Sequence, residues 1–437
     1  MLEALRIGML GFGTVGRGVA DLLLNHPDLL ANRAGIPLRL VRIATRNPER
    51  DRGLALGSVE VTGNVHRVVD ATDLDVVVEL IGGIIPTRDL VHRALESGKH
   101  VITANKALIA EYGPDLFALA HSKGVQLGIE AAVAGAVPII KTLRESLAGN
   151  RIDSVYGILN GTCNYILTEM RAKGLPFARV LADAQAKGFA EADPSFDIDG
   201  IDAAHKLAIL SAIAFGTPLD YGRILKEGIR HVSETDIAWA NEMGYRIKLL
   251  AMSRLREGLM EMTVRPVMVP VGSMVAAVEG VFNAVFVHGD YAGTTMYHGR
   301  GAGERPTASA VVADLMDLAR DLRAGAKERV PSLSVPVHHL RTLPIQSAAQ
   351  RQGSFYIRMA VVDRPGVLAE ITAILARHAI SIDAIHQKGR SPVEAVPLVM
   401  VTHESTEERI TQALIEIEQL DSVREPPRSI RIEAGLA

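Results

Sequence analysis

Cysteine is nearly absent: Cys163 is the only one in 437 residues, so no disulfide can form within the chain. That usage is compatible with a reducing compartment. A strong charge of either sign is also missing, since the formal net charge is −3. No dense Lys/Arg cluster breaks that balance, which argues against a nucleic-acid partner. Long apolar runs are lacking too, and no window reaches the length needed to cross a membrane. The first residues, Met-Leu-Glu-Ala-Leu-Arg-Ile-Gly-Met-Leu-Gly-Phe-Gly, run straight into a strand and a glycine turn. They show no basic start, apolar core or cleavage site, so a soluble cytoplasmic enzyme is expected.

What is present is enough apolar material, 48% of residues, to build two or three cores. Leu5–Leu10 is an apolar strand, followed by Gly11-Phe12-Gly13-Thr14-Val15-Gly16 and a helical pattern to about Leu24. In a strand–turn–helix unit these glycines have separate tasks. Gly11 permits the tight turn, Gly13 lets a pyrophosphate approach the backbone, and Gly16 lets the helix lie close to the strand. Further apolar strands are predicted at 38–44, 75–81, 100–103 and 125–129, separated by helical segments. Alternation of this kind predicts an α/β, Rossmann-type doubly wound parallel sheet. After the second strand, where an acidic residue would hold the ribose of NAD, the sequence reads Thr45-Arg46-Asn47. A cation there suits the 2′-phosphate of NADP, although a surface arginine fits the same spacing. NAD stays open as the cofactor.

The most informative stretch is residues 187–206, Lys-Gly-Phe-Ala-Glu-Ala-Asp-Pro-Ser-Phe-Asp-Ile-Asp-Gly-Ile-Asp-Ala-Ala-His-Lys. Glu191, Asp193, Asp197, Asp199 and Asp202 crowd around a turn that leads into a helix ending this run at Lys206. Asp202 and Lys206 stand four apart, so both can point into one cleft while Ile201, Ala204, Leu207, Ala208 and Leu210 pack on the other side. Carboxylates suit a substrate ammonium group, and a lysine held among them suits proton delivery to a reacting oxygen. The same spacing also describes a solvated helix face with a weak surface ion pair. Asp197-Ile198-Asp199-Gly200 brushes against a calcium-loop pattern but lacks the remaining oxygen ligands and the closing glutamate. Cys163 has no neighbouring histidine to activate it and reads as a small buried residue. His205 diverges from Lys206 by about 100° on a helix and should face elsewhere.

Three other segments stand out. Thr103-Ala104-Asn105-Lys106 follows a strand, at the carboxyl end where open α/β sheets bind ligands. Glu130 to Pro138 is a loop of small residues able to turn carbonyl oxygens inward. Gly299-Arg300-Gly301-Ala302-Gly303-Glu304-Arg305-Pro306 opens a helix predicted over 306–322. Residues 136–305 read as an α+β substrate and subunit-contact domain, and 323–353 as a linker. The remainder, 354–437, has a βαββαβ pattern with Asp363-Arg364-Pro365-Gly366-Val367-Leu368 at its first turn.

Taken together, the Gly-Thr-Cys-Asn-Tyr of 161–165, the acidic run through Lys206, Thr-Ala-Asn-Lys and the glycine-rich 299–307 segment resemble homoserine dehydrogenase over essentially the whole chain. The 363–368 turn resembles that of an ACT domain, a module that usually binds a small amino acid. A domain that only dimerises fits the same pattern. The resemblance implies reversible reduction of L-aspartate 4-semialdehyde to L-homoserine by NAD(P)H. It implies that Lys206 is the acid, that Lys106 polarises or relays at the same oxygen, and that Glu191 and Asp202 hold the substrate. It places Thr103, Lys106 and Gly303 beside the cofactor, with the nucleotide domain over 1–135. It further implies a sodium ion on Glu130, Val133, Gly135 and Val137, a threonine effector, and a dimer or tetramer. Another NAD(P)-linked dehydrogenase would share the nucleotide fold. A non-catalytic nucleotide sensor would need the glycine turn but neither lysine.

Overall fold

The computed structural model describes residues 3–387, 389 and 394–436. Six parallel strands come first: β1 (Leu5–Leu10), β2 (Leu38–Ala44), β3 (Glu60–Thr62), β4 (Val76–Glu79), β5 (His100–Thr103) and β6 (Leu127–Gly128). Their spatial order is β3-β2-β1-β4-β5-β6, the doubly wound sheet expected from the alternation. The last strand is only two residues long, shorter than the apolar run 125–129 suggested. Helix α1 (Thr14–Asn25) follows β1 and α2 (Lys106–Lys123) follows β5. The strand order reverses between β1 and β4, so the turns after β1 and β5 face one crevice at the carboxyl ends.

The chain then leaves this sheet through β7 (Ile152–Ile158), α3 (Gly161–Lys173), α4 (Ile201–Phe215) and α5 (Glu234–Glu242). Four strands follow: β8 (Tyr245–Arg256), β9 (Leu259–Pro270), β10 (Phe282–Gly289) and β11 (Gly293–Arg300). The twelve-residue β8 escaped the sequence reading because the alternation of Tyr245 to Leu249 is cut short by the apolar run Leu249–Met252, most of the strand being buried on both faces. Helix α4 differs from expectation in the opposite sense. Every residue from Asp202 to Ile213 is buried, so the spacing that also fits a solvated face belongs to a helix inside the protein. Helix α6 (Glu304–Arg323) returns to the first sheet, where Val311, Leu315 and Ala319 join the core of Ile7, Met9 and Val19.

The last segment is βαββαβ: β12 (Gln352–Val361), α7 (Val367–Arg377), β13 (Ile382–Gln387), β14 (Val396–Thr402), α8 (Glu407–Glu418) and β15 (Val423–Ile432). It does not hang from a linker as a separate body. Strand β15 pairs in parallel with β9, through Val267 with Arg431 and Met268 with Ile432, and Glu433 N donates to Met268 O at 2.9 Å. The result is one eleven-stranded sheet, whose main path runs β11-β10-β7-β8-β9-β15-β12-β14-β13.

Buried charges fasten this seam. Arg431 reaches Glu261 at 2.9 Å, Glu433 at 2.8 Å and Glu407 at 3.4 Å, while Arg254 binds Glu433 at 2.7 Å and Arg265 binds Glu407. Arg254, Glu261, Glu407, Arg431 and Glu433 are all less than a tenth exposed. Removing one member of a buried ion network strands its partners without water, at a cost of about 3–5 kcal/mol. Arg431→Met should therefore lower stability by about that amount. Equilibrium unfolding in urea measures it, and an unchanged midpoint would show that the network does not fasten the two segments.

Candidate active site

The glycine turn has the geometry its sequence predicts. Gly11 adopts φ +100°, and a Cβ there would lie 2.6 Å from the Leu80 carbonyl oxygen. A Cβ on Gly16 would lie 2.3 Å from the Gly11 oxygen, so helix and turn touch through bare backbone. Around Gly13, by contrast, a Cβ would meet nothing within 4 Å. Helix α1 has no side-chain cap and no acidic residue in its first turn, which leaves its positive end to an anionic ligand. These features fit a dinucleotide pyrophosphate.

Arg46 is exposed just beyond β2. A second arginine, not singled out from the sequence, organises the same corner. Arg52 donates to the carbonyls of Phe12 at 2.7 Å and Asn47 at 3.1 Å and lies over the Phe12 ring, 4.7 Å from its centroid. Nothing in the irregular 47–56 segment marked it. Gly303, with φ +125°, is the N-cap of α6, whose Glu304 pairs with Arg17 of α1 at 2.5 Å. Thr103 is fully buried, and its hydroxyl donates to Glu79 at 2.5 Å.

Two lysines converge on one carboxylate. Lys106, in the first turn of α2, lies 3.1 Å from Asp202 Oδ1, and Lys206 lies 2.8 Å from Asp202 Oδ2. Lys206 also donates to the Leu159 carbonyl at 2.7 Å. Asn105 caps α2 by accepting from Leu108 N, which fixes where that helix starts and so where Lys106 stands. The ring of Phe196 sits 5.5 Å from the Lys106 ammonium. Glu191 is exposed at the rim; its carboxylate acts on Lys106 through charge.

Electrostatics divides the two lysines. Burial lowers Lys206, Asp202 pulls it up and Lys106 pushes it down; the balance leaves it below the ordinary lysine value. Lys106 is also lowered by burial, but the charge of Asp202 and its hydrogen bond overcome that and raise it. For Asp202 itself, burial acts to raise the pKa. The charges of Lys206 and Lys106, with hydrogen bonds from Lys206 and Asn160, prevail and hold the carboxyl well below its usual range. The set is thus an ionised carboxylate between a more acidic and a less acidic ammonium.

Other expectations can be placed on this geometry. Cys163 is buried and raised well above the ordinary thiol value by burial, as an inert packing residue should be. The His205 ring packs 4.3 Å from Tyr221 and 5.5 Å from Phe196. Among the described residues no group of three or more His, Cys, Asp or Glu could hold a metal. Asn160 and Asp197, now seen inside the cluster, received no role from the sequence. An asparagine immediately before Gly161 and a helical pattern is an N-cap signal that could have drawn attention to Asn160.

Comparison with known proteins agrees with this geometry. The homoserine dehydrogenase family model matches residues 138–316, the homoserine dehydrogenase NAD-binding domain model 11–130, and the ACT domain model 355–419. Homoserine dehydrogenase of Pseudomonas aeruginosa is 45% identical over 435 residues, 99% of each chain. The chain belongs to the homoserine dehydrogenase family. A homoserine dehydrogenase structure from Thiobacillus denitrificans superposes with a TM-score of 0.94 at 48% identity, covering 99% of this chain and 98% of that one. A hyperthermophilic archaeal homoserine dehydrogenase in complex with NADPH gives 0.62 at 28% identity, over 72% of this chain and 97% of that one. The activity is therefore that of an NAD(P)-dependent homoserine dehydrogenase, interconverting L-aspartate 4-semialdehyde and L-homoserine. The bare nucleotide-sensor alternative falls with this result.

If Lys206 moves the proton, Lys206→Ala should lower kcat by about 10²-fold or more with cofactor affinity unchanged. Aldehyde reduction should fall as pH rises through the Lys206 pKa, because the acid form is lost. Homoserine oxidation should fall as pH drops through it. Steady-state kinetics in both directions check this, and a variant with most of its turnover would remove Lys206 from the mechanism.

Proposed function

We propose that Lys206 is the general acid of aldehyde reduction and the base of homoserine oxidation. The observation that carries this reading is the Lys106–Asp202–Lys206 set between the two domains, in which Asp202 and Lys206 are buried and Lys106 is half-buried. The bound nicotinamide cofactor supplies or accepts the hydride. Lys206, the more acidic ammonium, delivers its proton to the substrate oxygen as that oxygen gains charge. Lys106, the less acidic one, stays protonated and polarises the same oxygen. Asp202 keeps both ammonium groups in place, and Glu191 at the rim binds the substrate amino group. Precise placement matters because a small displacement of the reacting atoms costs large factors in rate.

In the same reading, residues 1–135 with the return helix 306–322 hold the cofactor, 136–305 hold substrate and subunit contacts, and 354–437 regulate. The enzyme works in the cytoplasm as a dimer or tetramer. A sodium ion would be held by Glu130 and the carbonyls of Val133, Gly135 and Val137. It would brace the loop between the domains and offset buried negative charge. The surroundings fit a cation: burial, with the neighbouring Asp314 charge, raises Glu130 to about 8. The Glu130 carboxylate also accepts from the amides of Ile140 at 3.1 Å and Lys141 at 2.7 Å, which anchors it in the loop.

NADP is the expected preference, from Arg46 beyond β2 and the missing acidic residue there. Arg46→Ala should raise Kd for NADP more than for NAD. Equal losses, or none, would show that Arg46 does not touch the 2′-phosphate.

Threonine is the proposed effector of the 354–437 segment, where Gly366, with φ +96°, opens helix α7. A chain ending near Gln352 would not isolate this effect, because the cut would remove strand β15 from the edge of β9 and leave Glu261 without Arg431. The full chain is the better subject. Threonine should bind it in isothermal titration and inhibit turnover; neither binding nor inhibition would leave the segment as an oligomerisation module. Inhibition requires that threonine favour one conformational or assembly state.

A further inference from the structure

Asn160 hydrogen-bonds two carboxylates of the lysine–carboxylate cluster. Its carboxamide nitrogen donates to Asp202 Oδ2 at 2.8 Å and to Asp197 Oδ1 at 2.7 Å. Its carboxamide oxygen accepts from Cys163 N at 2.8 Å, capping α3. The cap fixes the orientation of the amide: oxygen to the helix end, both hydrogens to the carboxylates. The side chain is 4% exposed, so water does not compete for these bonds. The preceding residue takes part as well, because the Leu159 carbonyl receives Lys206 at 2.7 Å and Asn283 Nδ2 at 2.9 Å.

Two like charges are brought together by this one amide. Asp197 is raised by burial and then by the Asp202 charge, against the hydrogen bonds of Asn160 and Thr162. Without the shared donor, the pair would repel or one member would take up a proton. Asp202 would then lose the geometry that fixes Lys206. The groups acting electrostatically on Lys206 are Asp202 from its own helix, Lys106 from α2 and Asp197 from the short helical turn Ser195–Ile198 before it.

We propose that Asn160 is a positioning residue of the dehydrogenase reaction, tethering Asp197 and Asp202 to the end of α3 so that Asp202 holds Lys206 at the substrate oxygen. The proposal rests on the reading of Lys206 as the proton-transfer group. Neutral donors must satisfy carboxylates held away from water that cannot all pair with cations, here the buried Asp202 and the half-buried Asp197.

Asn160→Asp and Asn160→Ser test it, because each keeps an oxygen able to cap α3 and removes the two amide donors. Both variants should lose kcat about tenfold or more while KM for NADPH stays within about twofold. In Asn160→Asp, a third carboxylate should also stabilise the protonated lysine. The limb on which homoserine oxidation rises with pH should therefore move to higher pH. Asn160→Ser lacks the added charge and should lose kcat without that upward move. The proposal is overturned if both variants keep kcat near wild type with an unmoved profile. It is equally overturned if both lose kcat only together with NADPH binding and thermal stability, which would make Asn160 a helix cap alone. Lys206→Ala, assayed beside them, separates the two claims. Full turnover in Lys206→Ala condemns the acid assignment, whereas loss there with none in the Asn160 variants condemns only this proposal.

Discussion

A single buried carboxylate, Asp202, sets the terms for everything around it. Buried ions each cost several kcal/mol in lost hydration and persist only when paired and hydrogen-bonded. Asp202 meets that condition with ammonium groups on both oxygens and the amide of Asn160. One negative charge cannot fully satisfy two positive ones, so the lysines differ. Lys206, the more deeply buried of the two, is the one left more acidic, although the Leu159 carbonyl to which it donates favours its charged form. Such asymmetry between neighbouring titratable groups is how one site divides the tasks of proton donor and fixed charge.

The architecture serves that placement. Lys106 comes from the helix after β5 of the nucleotide sheet, Asp202 and Lys206 from a helix wholly inside the second domain, and Asn160 from the end of β7. The cluster is assembled only when the two domains pack. Beyond it, the second sheet continues without a break into the 354–437 segment through β9 and β15. Arg265 joins Glu407 of α8 to Glu227, and the next residues, Gly228 and Ile229, lie against Ile198 just ahead of Asp202. The 354–437 segment and the turn just ahead of Asp202 are therefore in continuous physical contact.

How much of this was legible in the sequence depended on the range of the interactions. The nucleotide fold was readable because glycine turn, strand alternation and helix starts are local signals. Lys106, Asp202 and Lys206 were readable as candidates from spacing and motif, and the fold brings these three into contact. The depth of α4 was not, since an i, i+4 Asp–Lys pair looks alike on a surface and in a core. Strand β8 hid because its alternation lasts only from Tyr245 to Leu249 before the buried apolar run to Met252 breaks it. The seam at Arg431 was invisible for a different reason: Glu261, Glu407 and Arg431 come from segments far apart in the chain, and only strand pairing brings them together. Arg52 similarly reaches Phe12 across forty residues of sequence.

The central claim is that Lys206 is the more acidic lysine of the set in the folded enzyme. Titration of the lysine side-chain nitrogens by NMR, with the Lys206 signal assigned by its loss in Lys206→Ala, measures this directly. The account predicts that Lys206 titrates below the ordinary lysine value of 10.5 and below Lys106. A Lys206 midpoint at or above that of Lys106 would contradict it.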